Sequence, residues 1–218
     1  MSPTGGRPDN IRVMVFKQVS EPDAVGTFEM KCEAVRVQIC KRDLTNPLWY
    51  EHPIHGRQVD VAAIDITDYV TGYLLAHVNE LEADAVHDPR LAQDVFVVGF
   101  PFGAIPGAPA PVWKRGTIAL DPTFDVEGLP KILIDTATRE GMSGSVVVGR
   151  HLIGGKSYKK KDGSTLDPVL MGQHDTVLGI YSGRHYPDLE RAQIGIVWRR
   201  RCIEEIVSAR IPANLPLG

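Results

Sequence analysis

The sequence predicts an all-β protein that ends in a helix. Three observations carry this. Short Val- and Ile-rich runs bounded by Gly, Pro, Asp and Asn recur along the 218 residues, no alternation of strand and helix patterns separates them, and helical spacing is convincing only near the C-terminus.

Taken in order, residues 11–16 (IRVMVF), 34–40 (AVRVQIC) and 59–66 (VDVAAIDI) are the first three strand candidates. Each is rich in β-branched residues, and the second alternates apolar with polar at the period of a half-buried strand. Residues 69–81 carry some helical spacing, which Gly72 weakens. Between 68 and 94 the composition turns from strand-like to mixed polar, which places a domain boundary near residue 85. Six further candidates follow: 95–99 (VFVVG), 116–120 (GTIAL), 131–135 (KILID), 145–148 (SVVV), 177–181 (VLGIY) and 194–198 (IGIVW). The stretch 99–111 (GFPFGAIPGAPAP) is too rich in Pro and Gly to be a strand throughout and reads as a long connection. Residues 199–210 place Ile203, Ile206 and Val207 on one side of a helix and Arg200, Glu204 and Glu205 on the other.

A formal net charge of −3, with no long block of one sign, gives no electrostatic reason to expect a nucleic acid or an anionic membrane as partner. The run Lys159–Lys160–Lys161 is brief and reads as a solvated loop. Cys32, Cys40 and Cys202 make neither a metal-ligand cluster nor an even disulfide framework, though one pair could form; with no export signal visible, the expected location is the cytoplasm. No H-E-x-x-H, C-x-x-C or phosphate-binding glycine motif is present, so neither a metal nor another cofactor is expected.

The chemistry concentrates in GMSGS, residues 141–145. A serine hydroxyl is a weak nucleophile at neutral pH and needs a base, an orienter for that base, and donors for the oxyanion that forms. Gly141 and Gly144 let the backbone bend tightly around Ser143 so that amide hydrogens can converge on one oxygen. The following run is strand-like, whereas the nucleophile elbow of an α/β-hydrolase opens a helix.

With its surroundings, this loop resembles that of the trypsin/chymotrypsin-like serine peptidases, especially bacterial members without zymogen activation. The residues that carry the resemblance are ILIDTATREGMSGSVVVG (132–149), a later strand VLGIYSG (177–183), an earlier VFVVGFPFG (95–103), and VDVAAIDI (59–66), in family order and followed by a terminal helix. The resemblance implies a chymotrypsin-like double β-barrel, with residues 1–85 an incomplete first barrel and 86–218 the second barrel plus helix. It further implies Ser143 as nucleophile, the amides of Gly141 and Ser143 as oxyanion hole, and Asp60 as the carboxylate that orients a histidine. Ala137 and Thr138 would then floor the substrate pocket, flanked by Ser182 and Gly183. Because that floor carries no acid, small or apolar substrate side chains are expected, from a protein or peptide substrate. Met142 departs from the acidic residue that zymogen-derived members carry, consistent with a protein made without activation.

The family's base histidine is missing where it belongs. It should precede Asp60 by several dozen residues in a T-x-x-H string, yet the first histidine, His52, stands only eight residues ahead and His55 five. Both read as loop residues. His77, His87, His151, His174 and His185 follow Asp60, the wrong order for the family, and read as surface or loop histidines. The sequence therefore suggests a chain truncated before the histidine, nearly inactive as it stands and with exposed strand edges. The rival reading is a pseudoprotease that uses the strand around Ser182 to hold an extended peptide.

Overall fold

In the computed structural model the described residues are 9–41, 46–75, 88–101, 110–137, 141–153, 158–159, 164–166, 172–184 and 193–214. Their strands run β1 (Asn10–Gln18), β2 (Met30–Gln38), β3 (Trp49–Glu51), β4 (Ala63–Ile64), β5 (Asp94–Gly99), β6 (Val112–Ile118), β7 (Lys131–Asp135), β8 (Val146–Ile153), β9 (Tyr158–Lys159), β10 (Thr165–Leu166), β11 (Gly172–Arg184) and β12 (Ile194–Arg199). Helix α1 (Arg200–Ala209) and a last short strand, β13 (Ile211–Pro212), complete the order. The protein is mostly β, as its sequence predicts. The chain forms two compact units that interleave in sequence: Met1–Ile54, Ala62–Ala76 and Ile206–Gly218 make the first, and His55–Val61 with His77–Glu205 the second.

In the first unit, β1 and β2 form an antiparallel hairpin in which Val13 faces Val35 and Phe16 faces Cys32. Its turn is fastened by Asp23, whose carboxylate accepts the amides of Val25 (2.9 Å) and Thr27 (2.8 Å). One face buries Val15 and Val37, while Met14 and Met30, on the other, are more than half exposed. A separate small sheet has the order β13-β3-β4.

The second unit holds a closed six-stranded antiparallel barrel. It consists of two three-stranded meanders, β5-β6-β7 and β8-β11-β12, zipped together by β5 against β8 and by β7 against β12. Alternation explains the interior. In β5, Val95 and Val97 are fully buried while Asp94, Phe96 and Val98 are only partly so. The same logic turns Ile132, Ile134, Val147, Tyr181 and Val197 inward, giving one core that also takes in Ile118, Met142 and Leu178. Outside the barrel, the Arg150 guanidinium pairs with Asp175 (2.8 Å) on the neighbouring strand and lies 4.3 Å from the Phe96 ring centroid.

Several expectations need correction. Of the strand expected over 59–66, only Ala63–Ile64 pairs, with β3. Val59 instead closes a tight turn onto the Gly56 carbonyl (3.2 Å) and is buried against Trp198 and Cys202, so packing rather than a ladder holds residues 59–62. The strand expected over 116–120 runs Val112–Ile118, and that over 177–181 extends to Gly172–Arg184. His151 and His174 are not surface or loop residues: they face each other across β8 and β11, with His174 buried and His151 hydrogen-bonded to the Gln93 amide (2.9 Å). In α1 the buried seam is Cys202 and Ile206, whereas Val207 is half exposed, because the helix packs through its i, i+4 pair. All three cysteines are free thiols. Of the 69–81 reading, Tyr69 ends a short 3-10 turn and 70–75 carry turns and a bridge from Leu74 to Phe16, not an α-helix. Lys159 lies in β9, and Lys160, Lys161, residues 76–81 and residues 102–109 fall outside the described residues.

Candidate active site

Ser143 lies on the connection between the two meanders, after β7 and ahead of β8. The Ser145 amide bonds to the Met142 carbonyl (3.0 Å), and the third residue of that turn, Gly144, has φ +86°, the type II pattern that only glycine adopts without strain. Gly141 has φ +86° as well. Between them the Met142 side chain plunges into the barrel core, 1% exposed. Burying a side chain of that size contributes roughly 1.5–3 kcal/mol, so an apolar anchor holds the loop at this position.

Two backbone bonds then tie the turn to β11. The Gly144 amide donates to the Tyr181 carbonyl (2.8 Å), and the Tyr181 amide donates to the Ser145 carbonyl (2.9 Å). The end of β5 approaches from another side: a Cβ on Gly99 would overlap the Ser145 hydroxyl and come within 2.9 Å of the Ser145 Cβ. Gly99 is thus required by close approach, as the glycine of the VFVVGFPFG stretch.

The Ser143 side chain is left exposed, and its Oγ donates to the Ser182 carbonyl over a long 3.4 Å. Among the described residues no backbone carbonyl accepts from the Gly141 or Ser143 amide, whereas those of Gly144 and Ser145 are engaged. Two amides beside an exposed hydroxyl, with no backbone acceptor among the described residues, could together hold an oxyanion. Ser182 sits where the register of β11 on β12 shifts between Tyr181 and Gly183, a bulge that leaves it without a cross-strand partner.

Asp60 is exposed on the segment 55–61 of the second unit. Partial burial raises its pKa above the usual carboxylate value, and among the described residues its carboxylate accepts no hydrogen bond. Its neighbour Val59 packs on Trp198, and the Trp198 Nε1–H donates to Ser182 Oγ (2.9 Å). The structure therefore brings Ser143 and Ser182 together directly and links the Asp60 segment to them through one indole. Ala137 is exposed two residues past the end of β7; Thr138 lies outside the described residues; Gly183, φ +131°, is half-buried at the bulge.

None of the described histidines is joined to Ser143 by a bond like that to Ser182. His52 belongs to the first unit, is 2% exposed, and accepts the Ile54 amide on Nδ1 (3.2 Å). The His55 carbonyl receives the Gln58 amide (3.0 Å) in a turn. His151 and His174 stand some five residues beyond the Val146–Ile180 pair that borders the turn, roughly 16 Å away at about 3.3 Å per residue.

Sequence reasoning missed Trp198. Its signal was present in IGIVW, where Val197 and Trp198 alternate and the aromatic must face the other way from the barrel core. Among the described residues no helix is long and apolar enough to cross a membrane, and no group of three or more His, Cys, Asp or Glu could hold a metal ion. The chain matches no family model, and no curated protein matches it.

Proposed function

We propose that this chain carries the nucleophile half of a trypsin-like serine endopeptidase of chymotrypsin-like fold. The observation that carries the reading is the turn itself: an exposed Ser143 hydroxyl between two positive-φ glycines, beside Gly141 and Ser143 amides that meet no backbone acceptor among the described residues, on a loop that enters a strand of a closed six-stranded barrel. In the reaction Ser143 Oγ attacks the scissile carbonyl, and the two amides hold the oxyanion. The hydroxyl proton passes to the base and from it to the leaving amine as the C–N bond breaks, and water then hydrolyses the acyl-enzyme, its proton returning through the same base to Ser143. Asp60, whose carboxylate accepts no hydrogen bond among the described residues, is in this reading the group that orients the base and stabilises it once charged. Among the described residues no base is bonded to Ser143, and His77, His87 and His185 lie outside them. Because the resemblance expects its histidine ahead of Asp60, the chain by itself is, in this reading, nearly inactive. Oxyanion hole and binding alone retain on the order of 10³–10⁴-fold over water.

Labelling with a fluorophosphonate tests this. The Ser143 Oγ–P bond forms, fluoride leaves and the hydroxyl proton goes to the medium. Labelling is expected to be slow, to map to Ser143, to be accelerated by concentrated imidazole acting as an external base, and to vanish in Ser143→Ala. Modification of a different residue would overturn the assignment of the nucleophile. Rapid labelling without imidazole would overturn the missing base. Tight peptide binding with no labelling under any condition would favour the pseudoprotease.

A further inference from the structure

We infer that Trp198 is a positioning residue of this site, an inference that rests on Ser143 being the nucleophile. Three observations converge on its side chain. First, Ser182 is the bulged residue of β11 and has no register partner on β12. Its carbonyl is nevertheless the group that accepts from Ser143 Oγ (3.4 Å). Second, the Trp198 indole N–H donates to Ser182 Oγ at 2.9 Å, supplying from the next strand the constraint the bulge removes. The indole is 2% exposed, and a buried N–H left unbonded is unfavourable, so the bond holds both partners. Third, the remaining surface of the same indole is the seat for Val59, 2% exposed, beside Cys202, with Val61, Leu129 and Ile196 packed around the cluster. Val59 and Val61 flank Asp60, so the seat fixes the backbone that presents the carboxylate.

The indole is itself clamped. Lys131 Nζ lies 5.5 Å from its ring centroid and is held there by an ion pair to Glu127 (2.6 Å). One side chain on the outer face of β12 thus sets both the carbonyl that receives the nucleophile's hydroxyl and the segment that carries Asp60. Trp198 contacts neither Ser143 nor a reacting atom, so it acts through Ser182.

The test uses the full chain with Trp198→Phe, which keeps an aromatic ring but loses the N–H, Ser182→Ala, Ser182→Thr, and the Trp198→Phe/Ser182→Ala double variant. Fluorophosphonate labelling of Ser143 in imidazole is expected to slow about tenfold in Trp198→Phe and in Ser182→Ala. The double variant should be no slower than either single, and Ser182→Thr, which keeps the hydroxyl, should restore the rate. Hydrogen exchange of the Gly144 amide, read in a Ser143→Ala background against that of Val147 in the barrel core, should rise by a similar factor in both single variants. This readout is independent of chemistry. If Ser143 is never labelled but Gly144 exchange responds, the peptidase reading fails while the Trp198–Ser182 link stands. Unchanged exchange with an unchanged labelling rate, or additive losses in the double variant, would overturn the inference. Should Trp198→Phe fail to fold, the Ser182→Ala and Ser182→Thr pair decides alone.

Discussion

The Asp60 carboxyl binds its proton more tightly in the folded chain than in the unfolded one, because burial removes part of the water that would solvate the charge. Below the ordinary carboxylate pKa both states hold the proton, and the group's contribution to stability is fully present. As pH rises through the elevated native value the folded state must ionise a partly desolvated acid, and that contribution is lost. Asp60→Asn is therefore expected to raise Tm at pH 7 and leave it unchanged at pH 3; equal shifts at both values would show that charge is not the cause. Ser143→Ala, at an exposed position, is expected to leave Tm within about 2 °C of wild type. At this scale the sequence singled out the turn that the structure shows, Ser143 between Gly141 and Gly144, and named Asp60 as a further candidate. Their neighbours' roles were hidden, because the Ser182 hydroxyl and the Trp198 indole meet only once β11 and β12 are paired.

Among the elements, the turn around Ser143 depends on two glycines for different reasons. Gly144→Ala must adopt φ near +86°, which costs about 1–2 kcal/mol, whereas Gly99→Ala drives a methyl group into Ser145 and costs roughly 1–3 kcal/mol unless the turn moves. Melting of Gly99→Ala is expected some 3–9 °C below wild type. Labelling of Ser143 should fall with it, since Ser145 is displaced along with the turn; a lower Tm with an unaltered labelling rate would show that the turn absorbs the methyl elsewhere. β5, β7 and β12 could be read from the sequence because each is a Val- or Ile-rich apolar run bounded by turn residues. β3, β9, β10 and β13 could not, since two or three residues carry no period. The 59–66 run misled for a related reason: its Val–x–Val spacing is that of a strand, yet those valines are spent gripping Trp198 from outside a ladder.

The molecule as a whole divides its stability unevenly. The β1–β2 hairpin is a two-stranded sheet with one face exposed, whereas every strand of the barrel has two neighbours. Amides of β1 are expected to exchange well before those of β5 and β8, measurable by hydrogen exchange and mass spectrometry. Burial likewise pushes the Cys202 thiol pKa up to about 11, so at pH 7 it has almost no thiolate. Iodoacetamide is expected to modify the half-buried Cys32 in the native protein and to reach Cys202 only with global opening; native-state modification of Cys202 at the rate of Cys32 would contradict that burial. The all-β class and the terminal helix were evident from composition and spacing, but the interleaving of the two units was not, because it depends on pairings between distant segments. One such dependence reaches into folding time. Each meander can zip up through neighbouring hairpins, while the seams β5–β8 and β7–β12 join residues far apart in sequence and must wait for loop closure. Ser143 rides on the connection between the meanders, and its turn is gripped by β5 from one and β11 from the other. A chain emerging from synthesis therefore has no assembled turn around Ser143 until the last seam shuts.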